Sequence, residues 1–284
     1  MKSSYLSLTV SILALAAIPE GVPLFQASST KTSCYLTPIP LRVMRHGPAA
    51  APHIRNRNGT SSNWGGYAAA TSLASPQRNS VSAVRGSWTI PAVSSSGSSS
   101  TYSSFWVGID GYSDGTVEQI GTEQDWTPSG QQNYVWFEMY PHGGYEITGF
   151  PIEAGDEFGA GVTYIGGGTF ILGITNFTRG TAYTVPTRYT QMKRAQRSSA
   201  EWIVEAPYSG GVLPLADFGK AAFSHCTATV NGTSGPINNT GYWQDDPISM
   251  ESTAGVLKAR PSALTDSTSS GTTTSAFTIQ WYHE

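Results

Sequence analysis

Two segments of this 284-residue chain carry side chains that could hydrolyse a bond without a metal. TVEQIGTEQDW contains Gln119, and SAEWIVEAP contains Glu201 and Glu205. A carboxylate can take a proton from water, and an amide N–H can stabilise the oxyanion that forms when that water attacks a carbonyl. The amide is uncharged, so this second role would persist in acid. In an extended strand Glu201 and Glu205 share one face, and either could be the base.

The sequence offers little for other kinds of catalytic site. The histidines show no HExxH motif or other paired metal-ligand spacing; they are His46, His53, His142, His225 and His283. There is no GxSxG motif and no pair of Asp-Thr-Gly or Asp-Ser-Gly turns. Cys226 alternates with apolar neighbours in AAFSHCTATV, which predicts a small buried hydrophobic residue instead of a nucleophile. We therefore expect no metal and no cofactor.

Three further segments bear on the assignment. They are SSNWGGY with Trp64, FWVGIDGY with Trp106 and Asp110, and VWFEMYP with Glu138. Taken in order from about residue 61 to about residue 207, the five segments resemble those of the glutamic peptidases, also called eqolisins. The resemblance implies an endopeptidase that cleaves peptide bonds in acid, with Glu205 as general base and Gln119 as oxyanion donor.

The resemblance also assigns supporting positions. Four residues match substrate-binding or supporting side chains: Trp64, Trp106, Asp110 and Glu138. The chain departs from the family pattern after Gln119, where Ile120 and Thr122 replace more typical residues and Glu123 stands where an aspartate is usual. The supporting role of Glu123 is therefore open.

Several alternatives stay open at this point. Glu138 and Glu205 could be the two carboxylates of a glycoside hydrolase, since lectin-like sandwiches host such enzymes. The aromatic residues could instead stack on sugar in a lectin without activity. Trp64 and Trp106 could belong to a core, and Asp110 could only cap a turn before Gly111. An amide such as Gln119 is what separates a peptidase from these alternatives.

From Trp64 onward the chain alternates strand-length runs with turns. The runs are rich in Val, Ile, Thr and aromatic residues: VWFEMY, EFGAGVTYI, TFILGITNF, AYTVPTRYT, AEWIVEA, AFSHCTATV and SAFTIQWYH. No segment shows sustained apolar spacing of 3.6 residues. This pattern predicts an all-β protein, an antiparallel β-sandwich. The resemblance makes it lectin-like (concanavalin A-like), with a concave sheet that holds the active site. Residues 262–275 are expected to form a loop.

The N-terminus has the pattern of a secretory signal. Lys2 precedes an apolar run over residues 6–18, which is too short for a membrane span. We expect a signal peptide over residues 1–27, a propeptide over 28–58 and a peptidase domain over 59–284. The protein is therefore expected to be secreted and monomeric, to act on polypeptides, and to bind neither nucleic acid nor membrane.

The charge is unevenly divided along the chain. Residues 1–58 carry a net charge of +5 and residues 59–284 a net charge of −8. This asymmetry predicts that the propeptide inhibits the domain partly through charge, with attraction that weakens in acid and in salt. Charged residues are only 12% of the chain, which suits a protein whose solubility must survive protonation of its carboxylates. Four sequons begin at Asn58, Asn176, Asn231 and Asn238.

Overall fold

The computed structural model describes residues 34–39, 55–57, 59–95, 97 and 99–284. The predicted signal peptide and Asn58 lie outside these residues, and so do residues 28–33 and 40–54 of the predicted propeptide. None of the helical segments among the described residues is long and apolar enough to cross a membrane.

The described residues form nineteen strands and one short 3-10 helix at Thr187–Tyr189. The first ten strands are β1 Tyr35–Pro38, β2 Arg55–Arg57, β3 Thr60–Ser61, β4 Trp64–Ala70, β5 Val81–Thr89, β6 Ser104–Ile109, β7 Val117–Thr127, β8 Gly130–Tyr140, β9 Tyr145–Thr148 and β10 Glu157–Gly166. The others are β11 Thr169–Asn176, β12 Thr181–Thr184, β13 Ser199–Glu205, β14 Lys220–Val230, β15 Thr233–Gly235, β16 Gln244–Glu251, β17 Leu257–Pro261, β18 Thr265–Ser269 and β19 Thr272–Trp281.

Apart from a short parallel pairing of β3 with β16, these strands make two antiparallel sheets packed face to face. The front sheet has the order β1-β9-β8-β7-β6-β13-β4-β16. The back sheet has the order β12-β11-β10-β5-β14-β19-β17-β16. β16 belongs to both, because its first half pairs with β4 and its second half with β17. The sandwich predicted from the sequence is thus confirmed.

Period-two alternation places the main core between the sheets. On β13, Trp202 and Val204 face inward and belong to this core, whereas Ile203 belongs to a second apolar cluster on the outer face of the front sheet. Two tryptophans also join the sheets by hydrogen bonds: Trp88 Nε1 donates to Thr122 Oγ1 at 2.9 Å, and Trp202 Nε1 donates to the Arg85 carbonyl at 2.7 Å. Because these N–H groups are satisfied, the large rings are buried without losing a hydrogen bond.

The outer face of the front sheet is unusual in carrying its own aromatic cluster. The cluster consists of Trp64, Ala68, Trp106, Tyr112, Val117, Trp136, Tyr140, Ile203 and Ile248, all of them buried. Alternate side chains on several strands thus form a second buried surface on the outer face of the front sheet. Glu201 and Glu205 lie on this same face with Ile203.

Two expectations about the strands were wrong in part. The run AYTVPTRYT is a strand only as far as Thr184, since Pro186 lacks an N–H and opens the 3-10 turn. Residues 262–275 are not a loop: β18 pairs with β19 across a tight turn in which Ser270 and Gly271 have φ of 50° and 78°. Threonine and serine, which suggested a loop, also suit an exposed hairpin.

The sequons differ in accessibility. Asn176 is fully buried, and its amide donates to the Pro151 carbonyl at 3.0 Å and to Asp156 Oδ2 at 2.8 Å. A glycan therefore cannot be attached to Asn176 without disrupting this folded region, whereas Asn231 lies in an exposed turn.

Candidate active site

Glu205 ends β13 and is held from both neighbouring strands. Asn63, just before β4, donates its Nδ2 hydrogen to Oε1 at 3.1 Å, and Trp106 on β6 donates from Nε1 to Oε2 at 2.9 Å. Glu205 is 0% exposed. Each carboxylate oxygen has an N–H donor, so the group is fixed in orientation as well as buried.

The position of Asn63 is itself fixed by its local turn. The Ser61 hydroxyl donates to Asn63 Oδ1 at 3.0 Å and accepts from the Trp64 backbone N–H at 3.1 Å. Because the amide oxygen is held by Ser61, the amide nitrogen points towards Glu205. The segment SSNWGGY thus contributes a hydrogen-bond donor as well as an aromatic ring.

The position of the Trp106 ring is set by its neighbours on adjacent strands. Its ring makes an edge-to-face contact with Trp64, with centroids 4.9 Å apart. On the other side it lies opposite Gly121 on β7, where a Cβ atom would come within 2.5 Å of Trp106 Cβ and 2.3 Å of the Phe105 carbonyl. Only glycine leaves room for Trp106 to reach Glu205 from this position.

Gln119 makes its defined contact with Glu138. The two residues are directly opposite on β7 and β8, and Gln119 Nε2 donates to Glu138 Oε2 at 3.0 Å. Gln119 is 1% exposed, and Glu138 is equally buried. One of the two amide hydrogens is therefore directed at a carboxyl oxygen, which fixes the plane of the amide.

Glu205 and Gln119 lie on the same face, on the two strands that flank β6. Glu205 is opposite Ser104 and Gln119 is opposite Gly108, so they are offset along β6 with Trp106 between them. The structure therefore brings the two predicted functional residues to one surface, separated by an aromatic floor.

Glu123 extends the row that contains Glu205. It lies opposite Ser104, whose hydroxyl hydrogen-bonds Glu123 Oε2, and Ser104 in turn lies opposite Glu205. Burial and the neighbouring Asp125 charge raise the pKa of Glu123, against the effect of Ser104, and burial raises the pKa of Asp125 to about 7. The glutamate at this position is thus a buried acid two strands away from Glu205.

Asp110 does not contact Glu205 or Gln119 in any hydrogen bond of the described residues. It adopts φ of 74° after β6 and accepts from the backbone N–H of Arg197 at 2.6 Å and of Ser198 at 2.7 Å. It therefore anchors the start of β13, the strand that ends at Glu205. Burial, then the Asp114 charge, raises its pKa to about 7, although the two backbone N–H groups lower it.

Two more buried glutamates lie near Asp110. Burial and the charges of Asp110 and Asp114 raise the pKa of Glu118. Burial above all, with smaller contributions from the same two aspartates, also raises that of Glu201, which the Ser199 hydroxyl lowers only partly. Glu201 pairs with Gly108 on the row of Gln119, and it lies four residues before Glu205 on β13.

The sequence analysis identified Glu205 and Gln119 as candidate functional side chains. It missed Asn63, which binds Glu205, and Ser104, which lies opposite it. Asn63 and Ser104 were not singled out, although both lie in quoted or adjacent segments. Polar residues at the ends of strands next to a candidate acid are the signal that could have found them. Among the described residues, no group of three or more His, Cys, Asp or Glu side chains is placed to hold a metal ion.

A family model for the peptidase A4 family matches residues 62–279, which includes every strand from β4 through β18 and most of β19. The chain belongs to the peptidase A4 family. It is therefore a hydrolase of the glutamic endopeptidase type, with polypeptides as its substrates.

Named relatives agree with this A4 assignment. Aspergillopepsin-2 from Aspergillus niger is 29% identical over 220 residues, covering 68% of this chain and 75% of the relative. Scytalidopepsin B from Scytalidium lignicola is 29% identical over 191 residues, covering 64% of this chain and 69% of the relative. A crystal structure of scytalido-glutamic peptidase with a transition state analog inhibitor has a TM-score of 0.57 at 23% identity, over 78% of this chain and 98% of that one. This structural likeness concerns the fold.

The close approach at Gly121 predicts that Gly121→Ala disables the A4 peptidase site. The new methyl group would displace Trp106 from Glu205 and strain β7, so we expect at least tenfold lower kcat/KM and a loss of about 1–3 kcal/mol in the free energy of unfolding. Gly115→Ala is the matched control, because no atom lies within 4 Å of its Cβ position and its backbone is unstrained. Equal activity in both variants would show that Trp106 does not depend on this contact.

The buried acids predict that the protein is more stable in acid than at neutral pH. Unfolded Asp and Glu titrate near 3.9 and 4.3, so a raised folded pKa means that the folded state holds more protons above that range. The contribution of these acids to the free energy of unfolding is then fully present below about pH 4. It is lost as the pH rises towards and through 7, by about 1.4 kcal/mol per pH unit for each extra proton. Urea unfolding at a series of pH values measures this slope.

Removing one of these acids should flatten the slope. Glu201→Gln replaces a fully buried carboxyl by a neutral amide, so its free energy of unfolding should fall less between pH 4.5 and 7 than that of the wild type. Glu157→Gln changes an exposed carboxyl on β10 and should keep the wild-type slope. An unchanged slope for Glu201→Gln would show that Glu201 does not hold an extra proton in the folded state.

Proposed function

We propose that this chain is a secreted acid endopeptidase in which Glu205 activates water and Gln119 stabilises the oxyanion. The observation that carries the proposal is the arrangement of the outer face of the front sheet. There, a carboxylate oriented by Asn63 and Trp106 and an amide oriented by Glu138 lie on strands that flank β6. The family assignment supplies the reaction, and this arrangement supplies the residues that perform it.

The reaction proceeds in two proton transfers. Glu205 takes a proton from a water molecule as its oxygen attacks the scissile carbonyl carbon, and the carbonyl oxygen becomes an oxyanion that accepts an N–H hydrogen bond from Gln119. The carboxylic acid formed at Glu205 then gives its proton to the leaving nitrogen as the C–N bond breaks. Glu205 returns to the carboxylate form, and a new carboxyl and a new amine are released.

Acid suits this chemistry because the oxyanion donor does not titrate. An amide keeps its N–H hydrogens at any pH in this range, unlike an imidazole or an ammonium group that must be protonated. The buried acids of the fold act in the same direction, since their protonated forms are the stable ones. Site chemistry and fold stability therefore favour the same acidic range.

The surrounding side chains position this pair. Trp106 and Asn63 hold the two carboxylate oxygens of Glu205, and Glu138 holds the amide of Gln119. Trp64 and Trp106 contact each other edge to face and form the apolar lining beside Glu205. Asp110 acts at a distance, by anchoring the start of β13.

A glycoside hydrolase on the same fold is less well supported. Such an enzyme needs two carboxyl groups that flank one bond, whereas Glu138 is engaged by the amide of Gln119. Hydrolysis of acid-denatured casein or haemoglobin, set against a panel of polysaccharides, separates the two activities and also a lectin without activity.

The remaining parts of the proposal concern secretion and processing of the chain. The apolar run at residues 6–18 supports secretion by a signal peptide over 1–27, and the basic residues 28–58 support a propeptide that is removed to give a monomeric domain from about residue 59. N-terminal sequencing after incubation at about pH 3–4 identifies the first residue of the processed form.

Glu205→Gln should abolish peptide hydrolysis while keeping the fold, because the base is lost and the shape is retained. We expect kcat to fall by at least a thousandfold and the free energy of unfolding to change by about 1–2 kcal/mol, as one N–H donor then faces an NH2 group. Glu201→Gln is the matched control on the same strand and face, and it should keep most of its activity. Loss of activity in Glu201→Gln alone would move the base to Glu201.

Gln119→Ala should lower kcat by about a hundredfold to a thousandfold with little change in KM, because an oxyanion donor acts mainly in the transition state. Gln132→Ala on the neighbouring strand removes an exposed amide and should leave both constants unchanged. Steady-state kinetics on a chromogenic peptide at acidic pH measures both. A Gln119→Ala variant with wild-type kcat would remove this residue from the mechanism.

A further inference from the structure

The front sheet ends in a strand that comes from the predicted propeptide. β1 pairs antiparallel with β9 over four residue pairs, from Tyr35 opposite Thr148 to Pro38 opposite Tyr145. The next residue continues the ladder, since the Ile39 N–H donates to the Gly144 carbonyl at 2.9 Å. Residues 34–39 thus form the outermost strand of the sheet that carries Glu205 and Gln119.

The hydrogen-bond pattern of this ladder explains how proline is accommodated. In an antiparallel pair, hydrogen-bonded and non-hydrogen-bonded residue pairs alternate. Because Ile39 is bonded to Gly144, Thr37 and Tyr35 occupy bonded positions, whereas Leu36 and Pro38 do not. Pro38 therefore sits where its missing N–H costs no ladder bond. The side chains add one more link, as Thr148 Oγ1 donates to Thr37 Oγ1 at 2.8 Å.

β9 pairs with β1 over more residues than with β8. β9 is paired with β8 over two residue pairs, Trp136 opposite Glu146 and Phe137 opposite Tyr145, but with β1 over four. β8 carries Glu138, the partner of Gln119. Only β9 therefore separates β1 from the strand that orients the proposed oxyanion donor.

The side chains of β1 divide between the two faces of the sheet. Leu36 packs at the edge of the core between the sheets, and Ile39 packs against the outer-face aromatic cluster. A Cβ atom at Gly144 would lie 3.5 Å from Ile39 Cδ1 and 3.6 Å from Glu138 Cβ, so Ile39 is separated from Glu138 by a single glycine. The strand thus ends at the proposed catalytic face.

The contact of β1 with the domain borders a surface pocket, and β1 contributes no charged side chain to it. The pocket has a volume of about 450 Å³, and its lining includes Pro38, Ile39, Phe137, Tyr145 and Tyr189. Residues 34–39 carry no charged side chain, although residues 1–58 have a net charge of +5.

We infer that the outer edge of β9 is a strand-addition site whose ligand is residues 34–39 of the same chain. This segment docks by backbone hydrogen bonds and by Leu36 and Ile39, and it remains bound after the chain is cut between residue 39 and the domain. Its docking does not depend on charge, in contrast to the attraction predicted for the arginines that follow. Its role as an inhibitor, but not its docking, rests on the proposed function.

The test uses the full chain with a recognition site for a sequence-specific protease in place of residues 47–52, in the Glu205→Gln background so that self-cleavage cannot interfere. After cutting at pH 6, size-exclusion chromatography and intact mass show whether the N-terminal fragment elutes with the domain, in low salt and in 1 M NaCl. We expect the fragment to stay bound in both.

Three variants separate strand addition from other contacts. Thr37→Pro removes a bonded N–H and Leu36→Asn removes the apolar contact, and each should weaken retention at least tenfold. Tyr35→Asn is the matched control, because the Tyr35 side chain is 61% exposed, and it should retain the fragment. Near-ultraviolet circular dichroism of the uncut chains checks that all fold alike. Release of the unaltered fragment in 1 M NaCl, or equal retention in all variants, would overturn the inference.

A second readout keeps this inference apart from the proposed function. With Glu205 restored, cut chains that retain the fragment should hydrolyse protein substrate in acid more slowly than those that release it. If retention follows the variants as expected but no form hydrolyses protein, the docking site stands and the proposed function fails.

Discussion

The hydrogen bonds that Asn63 and Trp106 donate to Glu205 impose the strictest requirement on this structure. A carboxylate shielded from water is costly unless each oxygen has a donor, and here the donors come from the strands on either side of β13. The register of β4, β13 and β6 must therefore be correct to one residue, because a slip of one would turn Glu205 into the core between the sheets. Asp110, which anchors the start of β13 through Arg197 and Ser198, fixes that register from the far end.

The same requirement explains why the front sheet has two buried faces. The face towards the back sheet is an ordinary core, in which Trp202 and Trp88 satisfy their own N–H groups. On the outer face, Glu205 and Gln119 are buried beside a second aromatic cluster around Trp64 and Trp106. Burial on that face raises the pKa of Glu123 and Glu201, which is the basis for expecting the fold to be more stable in acid.

Much of this arrangement could be predicted from the sequence, because alternation alone assigns Glu201, Ile203 and Glu205 to one face and Trp202 to the other. The sandwich also followed from the strand-length runs and the absence of helical spacing. Partners across strands could not be predicted in this way, because they depend on the register of the sheet. Asn63, for example, binds Glu205 although the two residues are 142 positions apart in the sequence. The hairpin at β18 was missed because serine and threonine are compatible with both an exposed strand and a loop.

The edge strand β1 contacts both the edge of the front sheet and the aromatic cluster on its outer face. A sheet whose outer face holds a buried site has to protect its edge as well, since an open edge next to β8 would expose backbone groups beside Glu138. A segment of the predicted propeptide fills this place with backbone hydrogen bonds, and it contributes Ile39 to the same aromatic cluster that surrounds the site. Such a contact is indifferent to pH, whereas the charge attraction expected for the arginine-rich residues beyond it declines in acid. On the proposal that residues 28–58 inhibit the domain, the charged part of the segment would detach first in acid and the uncharged strand β1 would leave last.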